Sequence, residues 1–213
     1  MKKSEKQWHA LRSKGIGGSD CAAILGRNPY MTNVELWEIK TKRKEQEDIS
    51  NKDCVIFGKT AEEHLREMFK LDYPEFEVIY EPYNNYSNPK YDFIRGSFDG
   101  RLIEKSTGKK GILEIKTTNI LQSMQKEKWN DRVPDNYFCQ ILHYFLVDET
   151  AEFAILKARL RYEYENEVRA TIRHYFFKRN DYLADLEFLL GEEIKFWDCV
   201  ISDKRPDLIL PPI

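Results

Sequence analysis

Apolar residues recur along the chain with two different periods, and the switches between them mark the elements. In "GKTAEEHLREMFKL" (58–71), Ala61, Leu65, Met68, Phe69 and Leu71 fall at helical spacing with charges between them, which predicts an amphipathic helix. "EFEVIYEPYNNY" (75–86) alternates as a strand does and ends in an Asn-rich turn. "YDFIRGSFDGRLIE" (91–104) and "KKGILEIKTTN" (109–119) predict two strands joined by the turn "KSTGKKG". Two helical stretches follow, 119–130 and 135–147. "AEFAILKARL" (151–160) and "VRATIRHYFFK" (168–178) are rich in β-branched and aromatic residues and predict two more strands. The long amphipathic run from Asn180 predicts a final helix with Asn180 or Asp181 as N-cap, closed by the prolines of "RPDLILPPI". Near the start, "RNPYMTNVELW" reads as a turn entering a helix, with Thr32 or Asn33 as N-cap. "TKRKEQEDISNKD" (41–53) is almost wholly polar and reads as an exposed loop or helix end. Helices, strands, helices, strands, helix in that order predict a mixed α/β protein around one sheet.

Length and composition narrow this picture. The 213 residues suit one domain with a core of useful size. A formal net charge of −2 excludes a general cationic coat for nucleic acid, so any such contact must be local. Residues 1–27 supply one such asymmetry, with Lys2, Lys3, Lys6, Arg12, Lys14 and Arg27 against Glu5 and Asp20. The cysteines at 21, 54, 139 and 199 are too scattered for a CxxC site, and no secretory signal or membrane-length apolar run is present. They read as reduced thiols of a cytoplasmic protein. His9, His64, His143 and His174 form no paired-histidine motif.

The chemistry-bearing signal is Asp99 followed by Glu114-Ile115-Lys116. On a strand, residues i and i+2 share a face, so Glu114 and Lys116 project together while Ile115 enters the core. Asp99 lies beside Gly100 at the end of the neighbouring predicted strand. If the two strands pair, two carboxylates and an ammonium meet. Close carboxylates repel unless a cation joins them. A hard divalent ion with oxygen ligands, Mg²⁺ or Mn²⁺, meets that need and can polarise a phosphodiester and activate a water. Lys116 then orients or helps deprotonate that water, or balances phosphate charge. Glu62 on the preceding helix, and Gln140 and Tyr144 at i and i+4 of a later one, join the set. Taken singly, Glu62 reads as a solvated helix charge and Tyr144 as a core aromatic.

Together these residues resemble the PD-(D/E)XK nuclease core. With "GKTAEE" upstream, "CQILHY" (a QxxxY motif) downstream and residues 8–40 at the start, the chain is similar to the YqaJ-type viral recombinase nucleases, the lambda exonuclease-like family. The resemblance covers residues 8 to about 147. It departs at Phe98, where the family name has proline. It implies a restriction-endonuclease-like fold, a central mixed sheet flanked by helices, in a single nuclease domain: an N-terminal helical phosphate-binding segment (1–40), a catalytic core (55–178) and a C-terminal helix (180–203). It implies a metal-dependent 5′-to-3′ exonuclease on linear duplex DNA, acting in phage-type recombination in a bacterial host. Asp99, Glu114 and the Ile115 carbonyl would hold metal, two Mg²⁺ or Mn²⁺ ions being expected. Glu62, with Glu63 as its rival, would contact metal or water; Lys116 would serve the attacking water; Gln140 would organise the centre and Tyr144 would support it. A single-strand annealing protein is the implied partner, and a homo-oligomer, possible as a ring of three, the implied assembly. An endonuclease of restriction or repair, or a non-catalytic DNA-binding subunit on the same fold, is the alternative.

"GIGGSDCAAILG" (15–26) poses a separate question. It lacks the GxxxxGK[ST] pattern, has no third glycine at the dinucleotide spacing and follows no strand. A helix starting at Ser19-Asp20 would offer free N–H groups to an anion, provided Asp20 points away. The resemblance assigns Arg12 and Ser19 to the 5′-phosphate of DNA, with Tyr144 counted in the same DNA-binding set; otherwise the glycines form a tight loop and Ser19, or Asp20, caps the helix. Trp8, Tyr30 and Trp37 either pack in the core or stack on a DNA end.

Overall fold

A computed structural model describes residues 5–121, 123–164 and 167–210. Lys2 and Lys3 of the basic N-terminal stretch lie outside the described residues. The helices are α1 (Glu5–Arg12), α2 (Cys21–Ile24), α3 (Asn33–Lys40), α4 (Asp53–Asp72), α5 (Ser123–Glu127), α6 (Asp135–Val147) and α7 (Leu183–Ile201). The strands are β1 (Phe76–Ile79), β2 (Tyr86–Ser87), β3 (Arg95–Gly96), β4 (Gly100–Glu104), β5 (Lys110–Ile120), β6 (Phe153–Tyr164) and β7 (Glu167–Lys178). Five of them form a mixed sheet in the order β1-β4-β5-β6-β7; only β5 and β6 run parallel, joined by a crossover through α6. A parallel pair needs such a crossover, and α6 is the helix that brings Gln140 and Tyr144 to the sheet.

The side-chain alternation of β5 divides the core. Leu113 and Ile115 pack with Leu65 and Phe69 of α4 and Ile155 of β6. Ile112 points the other way, into the cluster built from Ile141 and Phe145 of α6 and Leu156 and Leu160 of β6. Glu114 and Lys116 continue the Ile112 row, so a two-residue period sets them on the α6 face. A third cluster joins Ile16, Ile24, Leu36 and Trp37 of the N-terminal segment to Phe196 of α7.

Several boundaries differ from the sequence expectation, each for a local reason. The predicted strand 91–104 is broken: β3 pairs with β2 in a separate ribbon, and only Gly100–Glu104 joins the large sheet. The helix predicted over 119–130 shrinks to α5; at its start, β5 runs one residue past the predicted strand, to the β-branched Ile120, which pairs with Tyr162 of β6. Neither Asn180 nor Asp181 caps the last helix; a 3₁₀ turn over Arg179–Tyr182 leads into it. On α4, Met68 and Leu71 are exposed, and the inward positions are Leu65, Arg66 and Phe69. Thr32, not Asn33, caps α3, in a reciprocal pair with Glu35.

Candidate active site

The break between β3 and β4 gives Asp99 its position. Residue 100 pairs with Leu113, so Asp99 stands one step beyond the ladder, opposite Glu114. Its carboxylate accepts the Ile115 N–H at 2.7 Å, and its carbonyl accepts from Arg66 Nε at 2.6 Å. Glu114 is 3% exposed. Its Oε1 accepts from Lys116 Nζ at 2.6 Å and Gln140 Nε2 at 2.9 Å, while its Oε2 is buried without a partner. Gln140 also donates to the Tyr144 hydroxyl at 2.6 Å. Glu62 reaches the group from α4 and pairs with Arg66, which is buried and stacked over Tyr80.

The electrostatics follow from this crowding. Burial, then the charges of Glu114 and Glu62, push the Asp99 carboxyl well above the usual carboxylate range, against the opposing pull of Lys116 and the Ile115 N–H. Glu62 is also raised, by burial first and by Glu114, with Arg66 and Lys116 opposing. For Lys116, burial alone would lower the pKa, but Glu114, Tyr137 and Asp99 outweigh it and hold the ammonium protonated above its ordinary range. Burial and the same two acids raise Tyr144, which stays a neutral phenol. Glu62, Asp99 and Glu114, the last with an unpartnered buried oxygen, line one cavity, and carboxylate oxygens are the ligand type that a hard divalent cation takes.

A cavity of about 290 Å³ unites these residues with the glycine stretch: Glu62, Asp99, Glu114, Lys116, Gln140 and Tyr144 line it together with Arg12, Gly17, Gly18 and Ser19. Glu62 lines this cavity as well as the neighbouring one of about 790 Å³, where Glu63 also lies. Arg12 lies over the Trp8 ring, 4.5 Å from its centre, and Trp8 is fixed through Nε1 to Asn84 O and Ser97 Oγ. Trp37 is buried, whereas Tyr30 is 89% exposed.

The helix after Ser19 is a single turn without a side-chain cap, so neither Ser19 nor Asp20 caps it as the sequence suggested. Ser19 is exposed at the cavity. Asp20 turns away: it accepts from Gly17 N at 2.9 Å and Lys40 Nζ at 2.6 Å, and Lys40 also donates to Gly15 O. Burial would raise the Asp20 pKa, but Lys40, Gly17 N–H and Arg12 together lower it. Two glycines answer to close approach. A Cβ on Gly15 would stand 2.1 Å from the Phe93 carbonyl oxygen, and one on Gly18 would stand 2.5 Å from Tyr144 Cε1. Gly18→Ala is therefore expected to displace Tyr144 and Gln140 from Glu114, costing about 1–3 kcal/mol of stability and lowering activity. Thermal melting together with nucleotide release checks this; full activity would show that the ring moves freely.

Behind the cavity, a buried link runs across three elements. His143 Nδ1 meets Glu193 Oε1 of α7 at 2.6 Å, and His143 Nε2 donates to the Arg95 carbonyl at 2.8 Å. Cys21 lies in the same group and donates to Gly18 O at 3.0 Å. Sequence reasoning missed Arg66, Arg95, Trp8's anchors and this link. Only Arg66 carried a signal, its i+4 spacing from Glu62.

The five-stranded mixed sheet flanked by helices is a PD-(D/E)XK-like fold, and solved structures share it. The alkaline exonuclease LHK-Exo of Laribacter hongkongensis superposes with a TM-score of 0.63, at 14% identity and over 93% of each chain. Its complex with dAMP gives 0.64, at 15% identity and the same coverage. Residues 7–151 match the YqaJ-like viral recombinase domain, and the chain belongs to that family. The uncharacterized protein YqaJ of Bacillus subtilis (strain 168) is 30% identical over 211 residues, 96% of this chain, and the chain spans 59% of that protein's length. Among the described residues, no helix is long and apolar enough to cross a membrane.

Proposed function

We propose that this chain is a Mg²⁺- or Mn²⁺-dependent exonuclease that digests linear duplex DNA from a 5′-phosphorylated end, in phage-type recombination. The observation that carries this reading is the unpartnered, buried Glu114 Oε2, set beside Asp99 in a cavity that also receives Arg12 and Ser19. Asp99, Glu114, Glu62 and the Ile115 carbonyl would hold the metal, two ions in the fullest form, and the metal would supply an activated water and neutralise the charge developing on the phosphate.

The chain's own residues do the rest. Lys116, paired with Glu114, balances charge and orients the attacking water or helps to deprotonate it. Gln140 fixes the carboxylate of Glu114 and is itself fixed by Tyr144. Arg12, flattened on Trp8, presents a guanidinium to the terminal phosphate, with Ser19 at the mouth. In this reading residues 1–40 grip the end, residues 55–178 carry the catalysis and residues 180–203 buttress both, in one nuclease domain. The product strand passes to a single-strand annealing protein, and copies of the chain associate, a ring of three being one form. The reaction belongs in the cytoplasm of a bacterial host.

Arg12→Ala is expected to slow release from 5′-phosphorylated duplex by roughly tenfold or more while leaving 5′-hydroxyl duplex nearly unchanged. Rates on the two substrates, measured side by side, check it. Equal loss on both would sink the assignment of Arg12 to the terminal phosphate.

A further inference from the structure

Arg95 is a second guanidinium in the small cavity. It lines that space with Arg12 and Ser19, and its side chain is only 16% exposed. Its backbone is held at both polar atoms: N–H donates to Ile16 O at 2.9 Å, and the carbonyl accepts from His143 Nε2 at 2.8 Å. The adjacent bridge Ile16↔Ile94 ties the same strand to the glycine stretch. Yet the side chain is poorly answered. Nε is buried with no partner, and the carboxylate that Arg95 pairs with, Asp92, lies 3.8 Å from Nη2 and is 89% exposed. A pair at that distance, with its carboxylate in solvent, contributes little. A buried donor without an acceptor costs free energy unless something else supplies the acceptor.

Charge points to what that acceptor is. The cavity sets Glu62, Asp99 and Glu114 against Arg12, Arg95 and Lys116. Lys116 is committed to Glu114, so Arg12 and Arg95 are the cations left for an incoming anion. A terminal phosphate carries close to two negative charges near neutral pH, whereas an internal phosphodiester carries one. Two guanidinium forks match the former.

We infer that Arg95 is a second phosphate-binding residue of this cavity, selecting the terminal phosphate of a DNA strand over a hydroxyl end or an internal diester. This rests on the reading of the cavity as a DNA-end site. The test is equilibrium binding of a short labelled duplex, carrying either a 5′-phosphate or a 5′-hydroxyl, with Ca²⁺ replacing Mg²⁺. Wild type, Arg12→Ala and Arg95→Gln are compared, with melting curves as the check on folding. The wild type is expected to prefer the phosphorylated duplex. Arg95→Gln is expected to lose about tenfold of that preference while binding the hydroxyl duplex as before.

Preference lost in Arg12→Ala but intact in Arg95→Gln overturns the inference and leaves the end-binding site standing. Equal weakening on both duplexes also overturns it, since Arg95 would then serve general attraction only. No preference in the wild type removes the end-binding reading itself, and the inference with it. If Arg95→Gln does not fold, Arg95→Lys decides the matter: it keeps one charge but loses the fork, and a preference equal to wild type overturns the assignment.

Discussion

Asp99→Asn is expected to reduce nucleotide release by roughly a thousandfold or more while leaving the fold intact. The carboxylate stands opposite Glu114 and takes the Ile115 N–H, so asparagine preserves the shape and removes the charge. Its effect on stability has the opposite sign. Folding pushes the Asp99 carboxyl well above its ordinary value of 3.8, through burial first and then Glu114 and Glu62. The folded chain therefore binds that proton more tightly than the unfolded chain. The stabilisation is complete below about pH 3.8 and is lost as pH rises through the raised value, so the ionised group is a liability near neutrality. A divalent cation reverses this, because it favours the charged form. Melting in EDTA should show Asp99→Asn above wild type, and Mg²⁺ or Mn²⁺ should raise wild type and not the variant. A variant that melts lower in EDTA would mean that Asp99 is a structural acid.

His143→Ala should cost about 3–5 kcal/mol, the largest stability loss expected here, because it strips the partner from a buried charge. Both His143 and Glu193 are 0% exposed. Burial would lower the histidine pKa, but Glu193 and the Arg95 carbonyl outweigh it and raise the value above 6.5. The pair's contribution is thus complete below about pH 6.5 and is lost as pH rises through the raised pKa. Denaturant midpoints at mildly acidic and alkaline pH test this in wild type. In Glu193→Gln the slope with pH should flatten, since the charge that raises His143 is gone. An unchanged slope would assign the pH dependence elsewhere. Because His143 also holds the Arg95 carbonyl, its loss should loosen the cavity wall as well as α7.

How much of this was legible in the sequence depends on how local each feature is. Glu114 and Lys116 were readable as neighbours because the strand period alone puts them on one face, and Gln140 and Tyr144 because one helical turn separates them. The β6 and β7 strands were readable from their β-branched and aromatic content. Asp99 was found, but not its mechanism of placement: the chain leaves one ribbon at Gly96 and enters another at Gly100, and no local pattern announces that break. The helix expected over 119–130 started too early for a related reason, since β5 runs on to Ile120, paired with Tyr162 of β6. Arg95 was invisible because its meaning comes from the Ile16 bridge and the His143 clamp, contacts 79 and 48 residues away in sequence. The glycines of 15–18 drew attention as a phosphate loop; two of them are explained by Phe93 and Tyr144 pressing against them.

The most direct measurement of the account is release of nucleotides with Mg²⁺ from three substrates: linear duplex with a 5′-phosphate, the same duplex with a 5′-hydroxyl, and a covalently closed circle. The account predicts fast release from the phosphorylated linear duplex, slower release from the hydroxyl form, none from the circle, and release from the linear duplexes reduced roughly a thousandfold or more with Asp99→Asn. Cutting of the circle at a rate comparable to the linear duplex would contradict it and make the chain an endonuclease on the same fold.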